Sequence, residues 1–254
     1  MARRGRGTGP QPFDVIVGRH SVRAALVAGR RTVSTVVVDC EDRGPAFDEI
    51  RQLARAAGVR VNAVVGRELT RLAGGDFHQG VGAYAEKLPA PSWDGLVAAA
   101  REGHPLVLLN HVEDPRNLGA VVRSAAAFGG GGVLIPARRQ APVTPAVAKA
   151  AEGGLEYVPV ATVGNVAQAV RKLKAAGVWC YGLEGDGDLE LGTVEFNAAT
   201  ALVLGGEDAG LGGPLRRECD GVVAIPLDEG VTSLNVAAAA AVALYEFRRQ
   251  FPLP

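Results

Sequence analysis

Residues 105–129 read PLVLLNHVEDPRNLGAVVRSAAAFG. The opening PLVLL is apolar without alternation, and a short run of that kind bounded by polar residues suits a strand covered on both faces of a sheet. After the polar HVEDPRN the period changes. Leu118, Val121, Val122 and Ala125 recur at three- and four-residue spacing, one stripe of a helix, and Arg123 points away from that stripe beside Ala120 and Ala127. A buried strand feeding an amphipathic helix is the start of a βαβ unit. Working outward, GVLIP (132–136), VWCYGLE (178–184), TALVLGGE (200–207) and GVVAIPL (221–227) repeat the strand pattern, with helical patterns at 117–128, 145–152, 165–176 and 233–249. The predicted fold class is therefore α/β, a mostly parallel sheet with helices on both faces. In such sheets ligands bind beyond the carboxyl ends of the strands.

Toward the N-terminus the alternation is weaker but similar. VSTVVVD (33–39), VRVNAVV (59–65) and QGVGAYAEK (79–87) read as strands, SVRAALVAG (21–29) and FDEIRQLARAAG (47–58) as helices. Residues 13–88 form a compact α/β unit, residues 89–95, with Pro89 and Pro91, a linker, and residues 96–254 a second domain. A chain of 254 residues suits such a pair. Residues 1–12, MARRGRGTGPQP, read as a disordered basic arm; no apolar segment follows their basic residues, so a secretory leader is not expected.

The 27 basic and 27 acidic side chains cancel over the whole chain. Residues 1–88 nevertheless carry 14 basic and 9 acidic groups, a net of +5, and residues 89–254 carry 13 and 18, a net of −5. A polyanion should meet the first third of the chain. Cys40, Cys180 and Cys219 lack C-x-x-C spacing and neighbouring His pairs, which argues against a disulfide framework and a structural metal. The uncharged apolar stretch Val236 to Tyr245 is too short to span a bilayer. A cytoplasmic protein with no membrane and no metal is expected.

Three polar islands follow three of the strands. The first, 111–129, offers Asn117 and Arg123; the simpler alternative is that Asn117 caps the helix and Arg123 is a solvated charge. The second, GGEDAGLGG (205–213), places Glu207 and Asp208 in a glycine-rich turn that is neither a dinucleotide fingerprint nor a P-loop. The third, DEGVTSLNVAAAAAVALYEFRRQ (228–250), has Ser233 or Thr232 as a candidate cap, Asn235 in the first helical turn, and five alanines that let another helix approach closely. By chemistry alone they describe a ligand site with one Arg, one Glu, one Ser and two Asn. GGGG at 129–132 reads as a helix stop and loop.

The stretches DPRNLGAVVRSAAAFG (114–129), LVLGGEDAGLG (202–212) and IPLDEGVTSLNVAAAAAVALYE (225–246), in this order, resemble the three motifs of the SpoU-type branch of the SPOUT RNA methyltransferases. GRHSVRAAL (18–26) and FHQGV (77–81) resemble the substrate-binding domain of the 23S rRNA guanosine-2′-O-methyltransferase type. The resemblance implies a C-terminal trefoil-knotted methyltransferase domain, a smaller N-terminal L30e-like α/β domain that binds RNA, S-adenosyl-L-methionine as methyl donor, and a homodimer whose active site draws on both subunits. Carried over by position, it puts the cofactor at Gly205, Gly206, Ile225, Leu227 and Leu234, catalysis at Arg123, Glu207 and Asn235, and substrate binding at Asn117, Arg123 and Ser233. Ala237 stands where relatives often have a polar residue. Transfer RNA and a drug-binding rRNA site are alternative targets within this reading. A non-catalytic RNA-binding protein would be marked by loss of Arg123 or of the glycine-rich turn, and both are present. A guanidinium is the least suitable base among the side chains, so holding phosphate and developing negative charge is the easier role for Arg123.

Overall fold

The computed structural model describes residues 13–42, 44–75, 77–206 and 210–253. The basic arm and Glu207 lie outside the described residues. The chain separates into two compact units, Met1–Pro89 and Ala90–Pro254.

The first unit runs β1 (Phe13–Val17), α1 (Arg19–Ala28), β2 (Val33–Asp39), α2 (Pro45–Ala56), β3 (Arg60–Val64), α3 (Gly66–Ala73) and β4 (Val81–Glu86). Its sheet has the order β1-β4-β2-β3, with β4 antiparallel to β1 and β2, and β2 parallel to β3. Alternate residues of β4, Val81, Ala83 and Ala85, are fully buried against Val22 and Ala25 of α1 and Ile50 and Ala54 of α2. Period two on a strand and period 3.6 on the helices thus meet in one core. Helix α3 is an addition to the sequence reading. Leu69 is its only buried residue, too little apolar periodicity to show by pattern.

The second unit runs α4 (Trp93–Arg101), β5 (Leu106–Asn110), α5 (Pro115–Ala127), β6 (Gly132–Pro136), α6 (Pro145–Ala151), β7 (Val160–Val163), α7 (Val166–Ala175), β8 (Trp179–Leu183), β9 (Leu189–Glu190), β10 (Thr200–Gly205), α8 (Gly213–Glu218), β11 (Gly221–Ala224) and α9 (Val236–Gln250). All seven strands are parallel, in the order β7-β6-β5-β10-β8-β11-β9. Leu106, Leu108, Leu134, Ala201 and Val203 are fully buried under α4 and α7, as continuous apolar strands demand. Among the described residues no helix is long and apolar enough to cross a membrane, and no cluster of His, Cys, Asp and Glu could hold a metal.

Several boundaries differ from the sequence reading. Helix α4 begins inside the stretch read as linker, because Ser92 caps it by accepting a hydrogen bond from Gly95 N (3.1 Å). Helix α5 starts at Pro115 and is capped by Asp114, so Asn117 is not the cap. Helix α9 starts at Val236; Asn235 itself is the cap, accepting from Ala237 N at 2.9 Å, where asparagine is among the best residues, and neither Ser233 nor Thr232 serves. Gly132, which the sequence reading had in both the GGGG loop and the strand GVLIP, belongs to β6.

Candidate active site

Register sets the floor of the site. Gly205 pairs with Asn110, so β10 and β5 end level with one another, and Gly206 N continues the ladder by donating to the Asn110 carbonyl at 2.8 Å. Beyond that point the two glycines are required by close approach. A Cβ on Gly205 would collide with the carbonyl of Gly210, and one on Gly206 with the carbonyl oxygen of His111, itself held at φ 61°. Gly210 N closes the turn on Gly206 O at 3.0 Å.

This turn is one wall of a cleft of about 280 Å³. Gly205, Gly206, Ile225, Leu227 and Leu234 all line it, together with Ser233. The rest of the surface is aliphatic, from Leu183, Leu204, Val223 and Val236, with two carboxylates, Glu184 and Asp186, on one side. Glu184 accepts from Leu211 N at 2.7 Å and pairs with Arg216, fastening the glycine turn to the end of β8. Asp186 meets the same guanidinium at 2.6 Å, and that hydrogen bond holds its carboxyl below the usual carboxylate range. A concave, mainly apolar site with backbone edges and a few polar groups suits a nucleoside bearing a small charged tail. Its acid groups suit a cation such as a sulfonium better than an anion.

Helices α5 and α9 place the polar residues. At their N-terminal ends the Asn235 side-chain amide donates to Asn117 Oδ1 at 3.0 Å. At their C-terminal ends Arg248 of α9 donates to the carbonyls of Phe128 (2.6 Å) and Gly129 (2.8 Å) behind α5, taking up orphan acceptors there. The two helices therefore run parallel and are tied at both ends. Burial lowers the Arg248 pKa from its ordinary value, yet three carbonyls receive its protons once Phe251 is included (3.1 Å).

Arg123 goes elsewhere. With Leu118, Val121, Val122 and Ala125 fully buried, its side chain is left exposed, as the helical stripe predicts. It does not line the cleft. It forms an ion pair with Glu152 at 3.0 Å in a separate concavity of about 250 Å³ floored by Ala126, Ala127, Ala151 and Gly154 and flanked by Tyr157. Glu152 holds that position from a left-handed backbone, φ 43° and ψ 47°, at the end of α6. The structure thus brings six of the expected residues together in one cleft, joins Asn117 to Asn235, and leaves Arg123 apart.

Residues 104–245 match the SpoU rRNA Methylase family, and residues 15–91 match the family described as RNA 2′-O ribose methyltransferase substrate binding. The 23S rRNA (guanosine-2′-O-)-methyltransferase RlmB of Xanthomonas campestris pv. campestris is 39% identical over 238 residues, 92% of this chain and 96% of that relative. The chain belongs to the SpoU rRNA methylase family. Two solved methyltransferase structures resemble this methylase over nearly its full length. AviRb from Streptomyces viridochromogenes, in complex with the cofactor AdoMet, gives a TM-score of 0.74 at 28% identity, covering 94% of this chain and 91% of that one. An AdoMet-bound rRNA methyltransferase from Sinorhizobium meliloti gives 0.73 at 26%, covering 96% and 89%.

Four charged residues of this SpoU methylase escaped the sequence reading: Glu152, Glu184, Asp186 and Arg216. Glu184 had a signal, since it ends the apolar run VWCYGLE at the carboxyl end of a strand. Glu152 and Arg216 had none, because their partners lie 29 and 32 or 30 residues away in sequence.

Proposed function

We propose that this protein transfers the methyl group of S-adenosyl-L-methionine to a ribose 2′-hydroxyl of RNA, a guanosine of 23S rRNA. The observation that carries this reading is the cleft at the ends of β10 and β11, where two glycines that tolerate no side chain face an aliphatic wall and two carboxylates. The 39% identity to an enzyme named for 23S rRNA guanosine methylation supports the choice of target.

Bound in this cleft, the cofactor would supply a methyl carbon made electrophilic by its sulfonium. The chain's own task is to align the ribose oxygen and to manage its proton. Gly205, Gly206, Ile225, Leu227 and Leu234 hold the cofactor, and Ser233 lines the same cleft. The amide pair of Asn117 and Asn235 holds the loop that carries Ser233 and Leu234 beside α5. Arg123 grips a phosphate oxygen and stabilises negative charge developing on the ribose, while the proton leaves to phosphate or water. Glu207, in the glycine-rich sequence 205–213, belongs to this reading as a catalytic group.

Because Arg123 and the cleft occupy two concavities of a single chain, the reading includes a homodimer in which Arg123 of one protomer completes the cleft of its partner. Exposed Tyr245 of α9, packed edge-on against Phe128 at 6.3 Å, offers apolar surface near α5 for that contact. Subunit complementation tests it. R123A and G205A proteins, each strongly impaired alone at limiting cofactor, should regain part of the wild-type rate when mixed and allowed to exchange; no recovery means that each chain uses its own arginine. The knotted path belongs to the same reading, and the insertion of β10 between β5 and β8, both of which precede it in the chain, supports it. The basic first unit would hold RNA, and the protein would work in the cytoplasm. Labelled cofactor incubated with 23S rRNA fragments and with tRNA decides the target: a 2′-O-methylguanosine in 23S rRNA is expected. Methyl transfer confined to tRNA overturns the target, and none to any RNA overturns the reading.

A further inference from the structure

The second unit has a net charge of −5, so RNA approaching its cleft meets an unfavourable average field. The arginines around the site are mostly neutralised as well. Arg116 is bridged to Asp114 at 2.9 Å, Arg123 to Glu152 at 3.0 Å, and Arg216 to Asp186 at 2.6 Å and to Glu184. Arg138 and Arg139 differ. Both are exposed on the loop that follows β6, and neither has an acidic partner among the described residues.

That loop is firmly seated. Ala137 N donates to Val163 O at 3.0 Å, Val112 N to Gln140 Oε1 at 2.9 Å, and Ala141 N to Val112 O at 3.0 Å, with Ala141 buried. Its anchor, Val112, follows His111, whose carbonyl packs on Gly206 of the cleft. The two arginines therefore stand one loop away from the cofactor wall on a fixed base. Arg139 adopts φ 53°, a left-handed conformation that glycine or asparagine would take with less strain. Residues held in such conformations cluster at functional sites, and here the residue is a long exposed cation.

We propose that Arg138 and Arg139 form a phosphate-binding site on the methyltransferase unit, gripping the RNA backbone beside the target nucleotide. Two adjacent guanidinium forks suit phosphodiester oxygens, which accept paired N–H donors. Among the described residues neither guanidinium lies over an aromatic ring, and the proposed contact is with the phosphate backbone, which carries no sequence information. The inference rests on RNA being the substrate; it does not depend on which nucleotide is methylated.

Filter binding of the full-length protein to a 23S rRNA fragment at several monovalent salt concentrations tests it. In R138A/R139A the affinity at low salt should fall about tenfold, and the slope of log K against log salt should become shallower by about 1 to 2, since each phosphate contact accounts for roughly 0.7 to 0.9. R138K/R139K should keep most of the slope. Cofactor affinity, measured by calorimetry, should be unchanged. R139G separates the grip from the turn: it should weaken RNA binding while leaving the melting temperature equal or higher, because the strained residue is gone. Unchanged RNA affinity and slope in the double alanine variant would overturn the inference. So would a loss of cofactor affinity equal to the loss of RNA affinity, which would assign the arginines to the cofactor carboxylate. A wild type that binds the fragment but transfers no methyl group defeats the proposed reaction and leaves the slope test standing.

Discussion

Around Gly205 and Gly206 the ligand-facing wall is backbone and aliphatic carbon, whereas on the outer face of α5 it is charged side chains paired at the surface. The first arrangement is rigid. Its spacing is set by a β-ladder and by two Cα atoms packed against carbonyls, so no rotamer change can relieve an added atom. The second is adjustable, and half-exposed ion pairs of its kind contribute about 0–1 kcal/mol to stability. The packing of α5 on α6 does not need the pair. Gly119 lies directly on Ala150 and the Val147 carbonyl, and a Cβ there would clash. The cleft is therefore inseparable from the fold, while Arg123 and Glu152 are available for chemistry.

The largest expected effect lies on the adjustable side. R123A should reduce methyl transfer by ~10²–10³-fold, the usual cost of removing a group that stabilises transition-state charge. Its cofactor affinity should stay within about twofold of wild type by calorimetry. If single-turnover rates match wild type, Arg123 is the solvated charge of the simpler alternative.

On the rigid side, G205A should weaken cofactor binding by ~10–100-fold, matching the ~1–3 kcal/mol cost of overpacking. A side chain there strikes the Gly210 carbonyl, so the turn itself is displaced, beyond any occupation of cofactor space. Calorimetric titration with undiminished affinity would show that the turn yields and that the wall is not rigid.

E152G removes the anionic half of the ion pair and the side chain on the left-handed backbone together. Releasing the left-handed backbone gains roughly 1 kcal/mol, offset by the ~0.5–1 kcal/mol entropy cost of glycine, so the melting temperature should stay within about 2 °C. Turnover should nevertheless fall by about three- to tenfold as Arg123 loses its partner. A variant that melts lower but turns over normally would make the pair structural.

The smallest effect concerns pH. Because Arg216 holds the Asp186 carboxyl below its ordinary range, the contribution of that pair is fully present above the ordinary carboxylate pKa of about 4 and is lost as pH falls through the lower folded value. The difference in melting temperature between wild type and D186N should thus be constant from about pH 8 to pH 5 and shrink only in stronger acid. A difference that rises as pH falls would contradict the pairing.

Much of this was legible in the chain before folding. Runs such as PLVLL and TALVL can be buried only in a covered parallel sheet, and the strand-end rule then directs attention to 111–129, 205–213 and 228–250. The stripe of α5 foretold that Arg123 would face outward because helical period is a local property. Short elements were missed: β9 is two residues long and α8 six, below the length at which periodicity speaks. Capping assignments failed for a related reason. Asp114, Asn117, Ser233 and Asn235 are all good caps in isolation, and selection among them depends on where tertiary packing ends each helix.

Periodicity and residue chemistry along the chain are enough for the order of the longer strands and helices, the glycine turn and the polar residues available at the strand ends. Only the tertiary structure decided that Glu184 fastens that turn, that Asn117 meets Asn235 across 118 residues, and that Arg123 pairs with Glu152 outside the cleft. Each of these joins residues distant in sequence. Contact between such residues is set by sheet order and helix packing, which no local pattern encodes.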